Sequence, residues 1–150
     1  MIKVLLLALG LTILTVAVHA VGTVYVVLPL SRVWARSGAG HRMRAAVLPL
    51  VRLIAGFLIL HLVEMGVWAV AFSASNMFPD IETSLYYSFK SYTTVGYGDV
   101  APPISWRLIG PIEGAVGILM LGWSTGFIVV AVQRLYNSDR EPGENISSMK

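Results

Sequence analysis

Three long apolar stretches, almost free of ionisable side chains, divide the sequence. The first runs from Val4 to Ser31 and contains no lysine, arginine, aspartate or glutamate. The second runs from Ala45 to about Phe72 and the third from Leu108 to Gln133, and together these two stretches contain only three charged residues. About 20 helical residues cross the hydrocarbon core of a bilayer, so each stretch is long enough to span it. The pattern predicts an all-α membrane protein with three transmembrane helices.

Composition excludes the soluble classes of protein. Hydrophobic residues make up 56% of the 150 residues and charged residues only 13%, against ~25% charged residues in a typical soluble domain. A chain this apolar is also unsuited to disorder, which needs low hydrophobicity and high charge. The absence of cysteine excludes disulfides and thiolate metal sites. We expect membrane lipid as a partner, with no nucleic acid and no cofactor.

Charges between the apolar stretches predict the orientation in the membrane. The loop after the first stretch carries four arginines and no acid, so the positive-inside rule places it in the cytoplasm; they are Arg32, Arg36, Arg42 and Arg44. The N-terminus and residues 73–106 would then lie outside, and the C-terminus inside. Val18-His19-Ala20 fits a signal-peptide cleavage site, but the apolar stretch continues well beyond it, and we expect a retained helix.

Residues 73–106 are too apolar for a solvated loop. Phe78-Pro79-Asp80 is typical of a helix start with Asp80 as the N-cap. A helix from Ile81 to Tyr92 would be about 18 Å long at ~1.5 Å per residue, too short to cross a bilayer. It must therefore enter the membrane and return. Irregular backbone at that depth is tolerated only when it is buried in protein or lines a wet cavity, so the residues after this helix should line a pore or a site.

The residues after this short helix, positions 93–99, are Thr-Thr-Val-Gly-Tyr-Gly-Asp. They resemble the selectivity filter of potassium channels, whose signature is TVGYG. The resemblance implies that backbone carbonyls of an extended strand replace the hydration shell of K⁺. The two glycines supply backbone angles that bring successive carbonyls into line. The implied filter consists of Thr94, Val95, Gly96, Tyr97 and Gly98, with K⁺ bound at the first four.

The resemblance covers roughly residues 45–134 and also implies an assembly. One filter strand per chain implies a homotetramer, because the ring needs four strands; a mixed channel in which this chain is one subunit stays open. Residues 45–135 would be the pore domain, with an outer helix, a re-entrant pore helix, the filter and an inner helix. Residues 1–44 would add a transmembrane helix and a basic cytoplasmic loop, and residues 136–150 a short cytoplasmic tail. The implied protein is a multi-pass K⁺ channel of a cell membrane, resembling small prokaryotic channels, that conducts passively.

Side chains around the filter are expected to support it. Tyr86 and Tyr87 would pack behind the filter strand. Lys90 stands where a small bacterial potassium channel has a glutamate that interacts with the acid after the filter. We therefore expect Lys90 to pair with Asp99 or with Glu113 and to brace the filter from behind.

Glycines recur along the third apolar stretch and admit two interpretations. The pairs Gly110/Gly114 and Gly122/Gly126 have the GxxxG spacing that lets membrane helices approach closely. By resemblance, the gating hinge of the inner helix falls on Gly117, with Gly122 a second candidate. Close packing and hinge motion are not exclusive, and both stay open at this point.

A hypothesis from another class rests on the sequence Gly-Trp-Ser-Thr-Gly at 122–126, which matches the GxSxG nucleophile elbow of serine hydrolases. Ser124 would be the nucleophile of an intramembrane hydrolase, with His61 or His19 as its base. The elbow needs a strand–turn–helix context, whereas Ser124 falls inside an expected membrane helix. His61 and Glu64, three residues apart, could share a metal ion, but an intrahelical hydrogen-bonded pair is the preferred interpretation.

Overall fold

A computed structural model describes the backbone of residues 1–36 and 42–138 and the side chains of residues 1–29 and 47–134. Four α-helices follow one another: α1 (Ile2–Arg36), α2 (Arg42–Ala74), α3 (Ile81–Tyr92) and α4 (Ile109–Ser138), with a short 3₁₀ turn at Ile104–Trp106 before the last. The arginine side chains of the basic loop and most of the expected tail lie outside the described residues.

Three of the helices confirm the predicted membrane spans. The stretches Ile2–Pro29, Val47–Ala74 and Ile104–Arg134 are long and apolar enough to cross a bilayer. Many of their aliphatic side chains point outward, and Ile13 and Leu119, for example, are more than 60% exposed. Such an apolar outer surface is compatible with lipid, because in contact with lipid tails there is no hydrophobic driving force to bury it, as there would be in water. The chain is a multi-pass, all-α membrane protein.

The short helix α3 begins and ends as the sequence predicts. Asp80 has extended backbone angles, and its carboxylate accepts a hydrogen bond of 2.6 Å from the Thr83 N–H. This is the N-cap arrangement, which satisfies one of the free donors of the first turn. These N–H groups, that of Thr83 foremost, hold the pKa of Asp80 below its usual value. The helix ends at Tyr92, and the Thr93 N–H still donates to the carbonyl of Phe89 at 3.1 Å.

Helix α1 packs against both α2 and α4. Gly22 of α1 lies directly on the Leu60 side chain, and Gly56 of α2 lies on Val26, so the two helices approach closely at both points. Nearer the other end of α1, the Trp68 indole N–H donates a 2.9 Å hydrogen bond to the Thr15 hydroxyl. The first helix is therefore an integral part of the fold.

An aromatic cluster fixes α3 against α2. The rings of Phe72, Phe78 and Tyr87 contact one another, with the Phe78 and Tyr87 centroids 4.8 Å apart. Tyr92 is fully buried at the end of α3. These contacts hold the C-terminal end of the short helix deep between α2 and α4, and thereby position the segment that follows.

Candidate functional site

In the segment that follows α3, residues 94–98, every second residue has a positive φ angle. Thr94, Gly96 and Gly98 have φ angles of 60°, 55° and 78°. Two bonds close the turn from the helix: the Thr94 N–H donates to the Ser91 carbonyl at 3.0 Å, and the Gly96 N–H to the Lys90 carbonyl at 3.2 Å. Gly96 and Gly98 adopt these angles without steric cost. Thr94 is β-branched, so its positive φ is strained, and strain of this kind is concentrated at functional sites.

Two side chains of this segment, those of Val95 and Tyr97, are exposed in the single chain, Val95 to 51% and Tyr97 to 75%. The expected support residues divide in two: the Tyr86 hydroxyl donates to Asp99 Oδ2 at 2.5 Å, whereas Tyr87 is buried in the aromatic cluster against α2. A full packing shell for Tyr97 would therefore have to come from outside the chain.

Lys90 braces the segment from behind. Its ammonium donates 2.7 Å hydrogen bonds to Asp99 Oδ1 and to the Val100 carbonyl, and the side chain is buried. The ammonium also lies 5.2 Å from the centre of the Tyr86 ring, within range of a cation–π contact. Of the two partners expected for Lys90, the structure has Asp99. The Lys90 ammonium, with help from the Tyr86 hydroxyl, lowers the pKa of Asp99 to about 2.

Glu113 instead makes its contact with α3. It is fully buried, and Ser88 Oγ lies 2.5 Å from its Oε1 and 2.8 Å from the Met65 carbonyl oxygen, two contacts that share the one hydroxyl hydrogen. Within the described residues, Glu113 Oε2 has no hydrogen-bond partner. Glu113 therefore ties α4 to the back of α3.

The glycines of α4 fall into two groups. Gly110, Gly114 and Gly117 face the C-terminal half of α3, where a Cβ on Gly117 would meet the Tyr92 carbonyl. Gly122, by contrast, has nothing within 4 Å of a Cβ position, and the same holds for Gly126. The first group lets α4 approach the helix that carries the segment, which is the packing role. The hinge at Gly117 or Gly122 stays a prediction.

Ser124 lies in a cluster of buried polar side chains. Its hydroxyl is 3.1 Å from His61 Nε2 and 3.4 Å from His19 Nε2. The i,i+3 pair expected on α2 is present at ion-pair distance, with His61 Nδ1 3.4 Å from a Glu64 oxygen. A histidine from α1 joins this pair. Sequence reasoning missed the approach of His19 to Glu64, at 2.7 Å. The signal was present, because a carboxylate inside a membrane needs a partner and His19 is the ionisable side chain nearest the middle of the first stretch.

Ser124, His61 and Glu64 follow one another in space as the members of a catalytic triad do, but the structural context of a hydrolase nucleophile is missing. Ser124 lies inside the continuous helix α4, not at a strand–turn–helix elbow. It is only 4% exposed, which leaves no approach for a substrate. The arrangement is a hydrogen-bonded connection between helices.

Comparison with known proteins gives a family. A family model described as "Ion channel" matches residues 52–134, which is more than half of the chain. The A-type voltage-gated potassium channel KCND3 of Homo sapiens is 28% identical over 79 residues, and so is KCND3 of Rattus norvegicus. The match covers 52% of this chain but only 12% of those relatives. No solved structure matches significantly. The chain belongs to the ion channel family, which points to a channel and not to an enzyme.

Proposed function

We propose that the chain is the subunit of a homotetrameric, K⁺-selective channel that conducts K⁺ passively through a filter formed by residues 94–98. The observation that carries the proposal is the sequence Thr-Thr-Val-Gly-Tyr-Gly-Asp placed at the inner end of a helix too short to span the membrane. The curated relatives named above are potassium channels, which agrees with this choice of ion.

The backbone of the filter supports ion coordination. Thr94, Gly96 and Gly98 have positive φ, and in a filter strand this alternation would turn neighbouring carbonyls towards the same side. Four such strands around an axis would surround a dehydrated K⁺ with oxygens. The C-terminal end of α3 points into the same region, and its negative dipole end favours a cation there. K⁺ is the cargo of this site, and the proposal needs no cofactor.

The outer surface of the segment supports assembly. A single chain contributes one strand and leaves Tyr97 three-quarters exposed. An open cleft of about 570 Å³ lies between the filter and α4, lined in part by Thr94, Gly98 and Gly114. Neighbouring subunits would cover these surfaces in a tetramer. We also propose that the filter faces the outside of a prokaryotic cell membrane and the C-terminus the cytoplasm, as the arginine distribution predicts.

The experiment is K⁺ flux from proteoliposomes, with Na⁺ as the comparison ion and Ba²⁺ as a blocker. Gly98→Ala tests the filter. The added Cβ would have nothing within 4 Å, so there is no clash, but the alanine backbone would have to adopt a φ of 78°. An L-residue in this region costs about 1–2 kcal/mol. Gly66→Ala is the matched control, since its Cβ position is equally open and lies within helix α2.

We expect K⁺ flux that is blocked by Ba²⁺, exceeds Na⁺ flux, is lost or made non-selective by Gly98→Ala, and is retained by Gly66→Ala. Native mass spectrometry of the same protein should show four chains. Equal flux of K⁺ and Na⁺ through the wild-type protein would contradict the proposed selectivity. Equal loss in both variants would show that the Gly98 angle is not the cause.

A further inference from the structure

Five buried polar side chains from all four helices meet in the membrane part of the fold. Glu64 is at the centre: one carboxylate oxygen lies 2.7 Å from His19 Nδ1, and the other accepts from the Tyr92 hydroxyl. His61 Nδ1 lies 2.9 Å from the same tyrosine oxygen. Ser124 closes the cluster by contacting the Nε2 atoms of both histidines. None of the five is more than 4% exposed.

Counting hydrogens shows what the cluster lacks. Its five contacts need five hydrogens: one between His19 and Glu64, one between Tyr92 and Glu64, one between His61 and Tyr92, and one between Ser124 and each of the two Nε2 atoms. A carboxylate with two neutral imidazoles supplies only four, because each imidazole and each hydroxyl carries one.

The missing hydrogen falls at a defined place. The Tyr92 hydroxyl gives its hydrogen to Glu64, so His61 Nδ1 must donate to the tyrosine oxygen. With Glu64 ionised, His19 Nδ1 likewise donates to the carboxylate. Both Nε2 atoms are then acceptors, and they face the single hydrogen of Ser124. One further proton on either Nε2 completes every hydrogen bond.

Charge leads to the same result. With neutral imidazoles the cluster carries one negative charge inside the membrane, where an uncompensated charge costs several kcal/mol. Two other ionisable side chains of the packed helices are engaged elsewhere: Lys90 of α3 bonds to Asp99, and Glu113 of α4 contacts Ser88. The hydrogen-bond and ion-pair partners of Glu64 itself are His19, His61 and Tyr92. An imidazolium is therefore the available counter-charge.

We propose that this cluster is a buried proton-binding site, which holds one proton more than its neutral imidazoles supply and shares it between His19 and His61 across Ser124. The bound proton makes the cluster neutral and completes the connection from α1, through Glu64, to Tyr92 at the end of the filter-bearing helix. The site does not depend on conduction, so it can be tested separately from the proposed channel function.

The test is ¹⁵N NMR of histidine-labelled full-length protein in liposomes. The chain has three histidines, and His41→Gln removes the one outside the cluster. At pH 8 a solvent-exposed imidazole is about 3% protonated. We expect instead one imidazolium for every two histidine side chains at this pH. Two neutral imidazoles per chain at pH 8 would overturn the proposal without reference to any variant.

Two carboxamide variants identify the counter-charge. Glu64→Gln removes the negative charge and should abolish the imidazolium signal at pH 8. Glu113→Gln removes the other fully buried carboxylate of the described spans and should leave the signal unchanged. An imidazolium that persists in folded Glu64→Gln would overturn the proposal. So would a spectrum that changes when a chelator is added, because His19, His61 and Glu64 would then be holding a metal ion.

Discussion

Replacing glycine by alanine at two positions of α4 tests whether Gly117 is needed for close helix packing, because Gly117 lies against α3 and Gly122 lies on an open surface of the helix. At Gly117 a Cβ would lie 2.9 Å from the Tyr92 carbonyl carbon and 3.0 Å from its Cδ1, and closer still to the carbonyl oxygen. These are backbone and ring atoms held by the buried end of α3, so α4 and α3 must move apart. At Gly122 a Cβ has nothing within 4 Å.

The two variants share the gain in helix propensity, about 0.5–1 kcal/mol for glycine to alanine. They differ in the clash, and overpacking of this kind costs typically ~1–3 kcal/mol. We therefore expect Gly117→Ala to be about 1–3 kcal/mol less stable than Gly122→Ala. Both can be measured by thermal or denaturant unfolding of the detergent-solubilised protein, followed by helical circular dichroism.

Equal stability of the two variants would refute the packing interpretation of Gly117. Flux measurements on the same two variants then test the hinge interpretation. If Gly117→Ala retains its stability but alters opening, the glycine acts through flexibility and not through close approach to Tyr92. If Gly117→Ala loses stability and Gly122→Ala conducts normally, close packing of α4 on the filter helix is sufficient to explain the residue.

Three further predictions concern α3 and its brace. Lys90→Ala removes both bonds to the filter end and should speed inactivation or weaken the tetramer; unchanged currents together with an unchanged tetramer would contradict this role. Because Lys90 and Tyr86 lower the pKa of Asp99 to about 2, the stabilisation from the brace is fully present above the unfolded value of 3.8 and is lost as pH falls from about 4 towards 2. Tetramer melting followed against pH measures this, and a loss already complete at pH 6 would refute it. Asp80→Ala should lower stability through loss of the N-cap, whereas Glu82→Ala, which leaves the cap in place, should lower it clearly less in the same unfolding assay.

Local signals made much of the fold predictable. Runs with few or no charges predict membrane spans because an ionisable group in lipid is costly. The boundaries of α3, Ile81 and Tyr92, were predicted correctly because a proline and a capping aspartate mark its start and a glycine-containing sequence follows its end. Signals of this kind act within a few residues and need no knowledge of the tertiary structure.

Tertiary contacts within the membrane were harder to predict. The approach of His19 to Glu64 joins residues 45 positions apart, and helices that are apolar on all sides carry no stripe to show which face meets which neighbour. The same reason left Lys90 with two possible partners in the sequence. It also explains why Tyr86 and Tyr87, adjacent in sequence, lie in different surroundings, one at Asp99 and the other in the aromatic cluster.

The central claim is that residues 94–98 form a K⁺-selective filter. The most direct measurement is the reversal potential of the purified protein in a planar bilayer, with KCl on one side and NaCl on the other. The proposal predicts a current that reverses far from zero, with the KCl side negative, and that disappears with Ba²⁺. A reversal potential near zero in equal concentrations of the two salts would show a pore that does not distinguish the ions, and would contradict the claim.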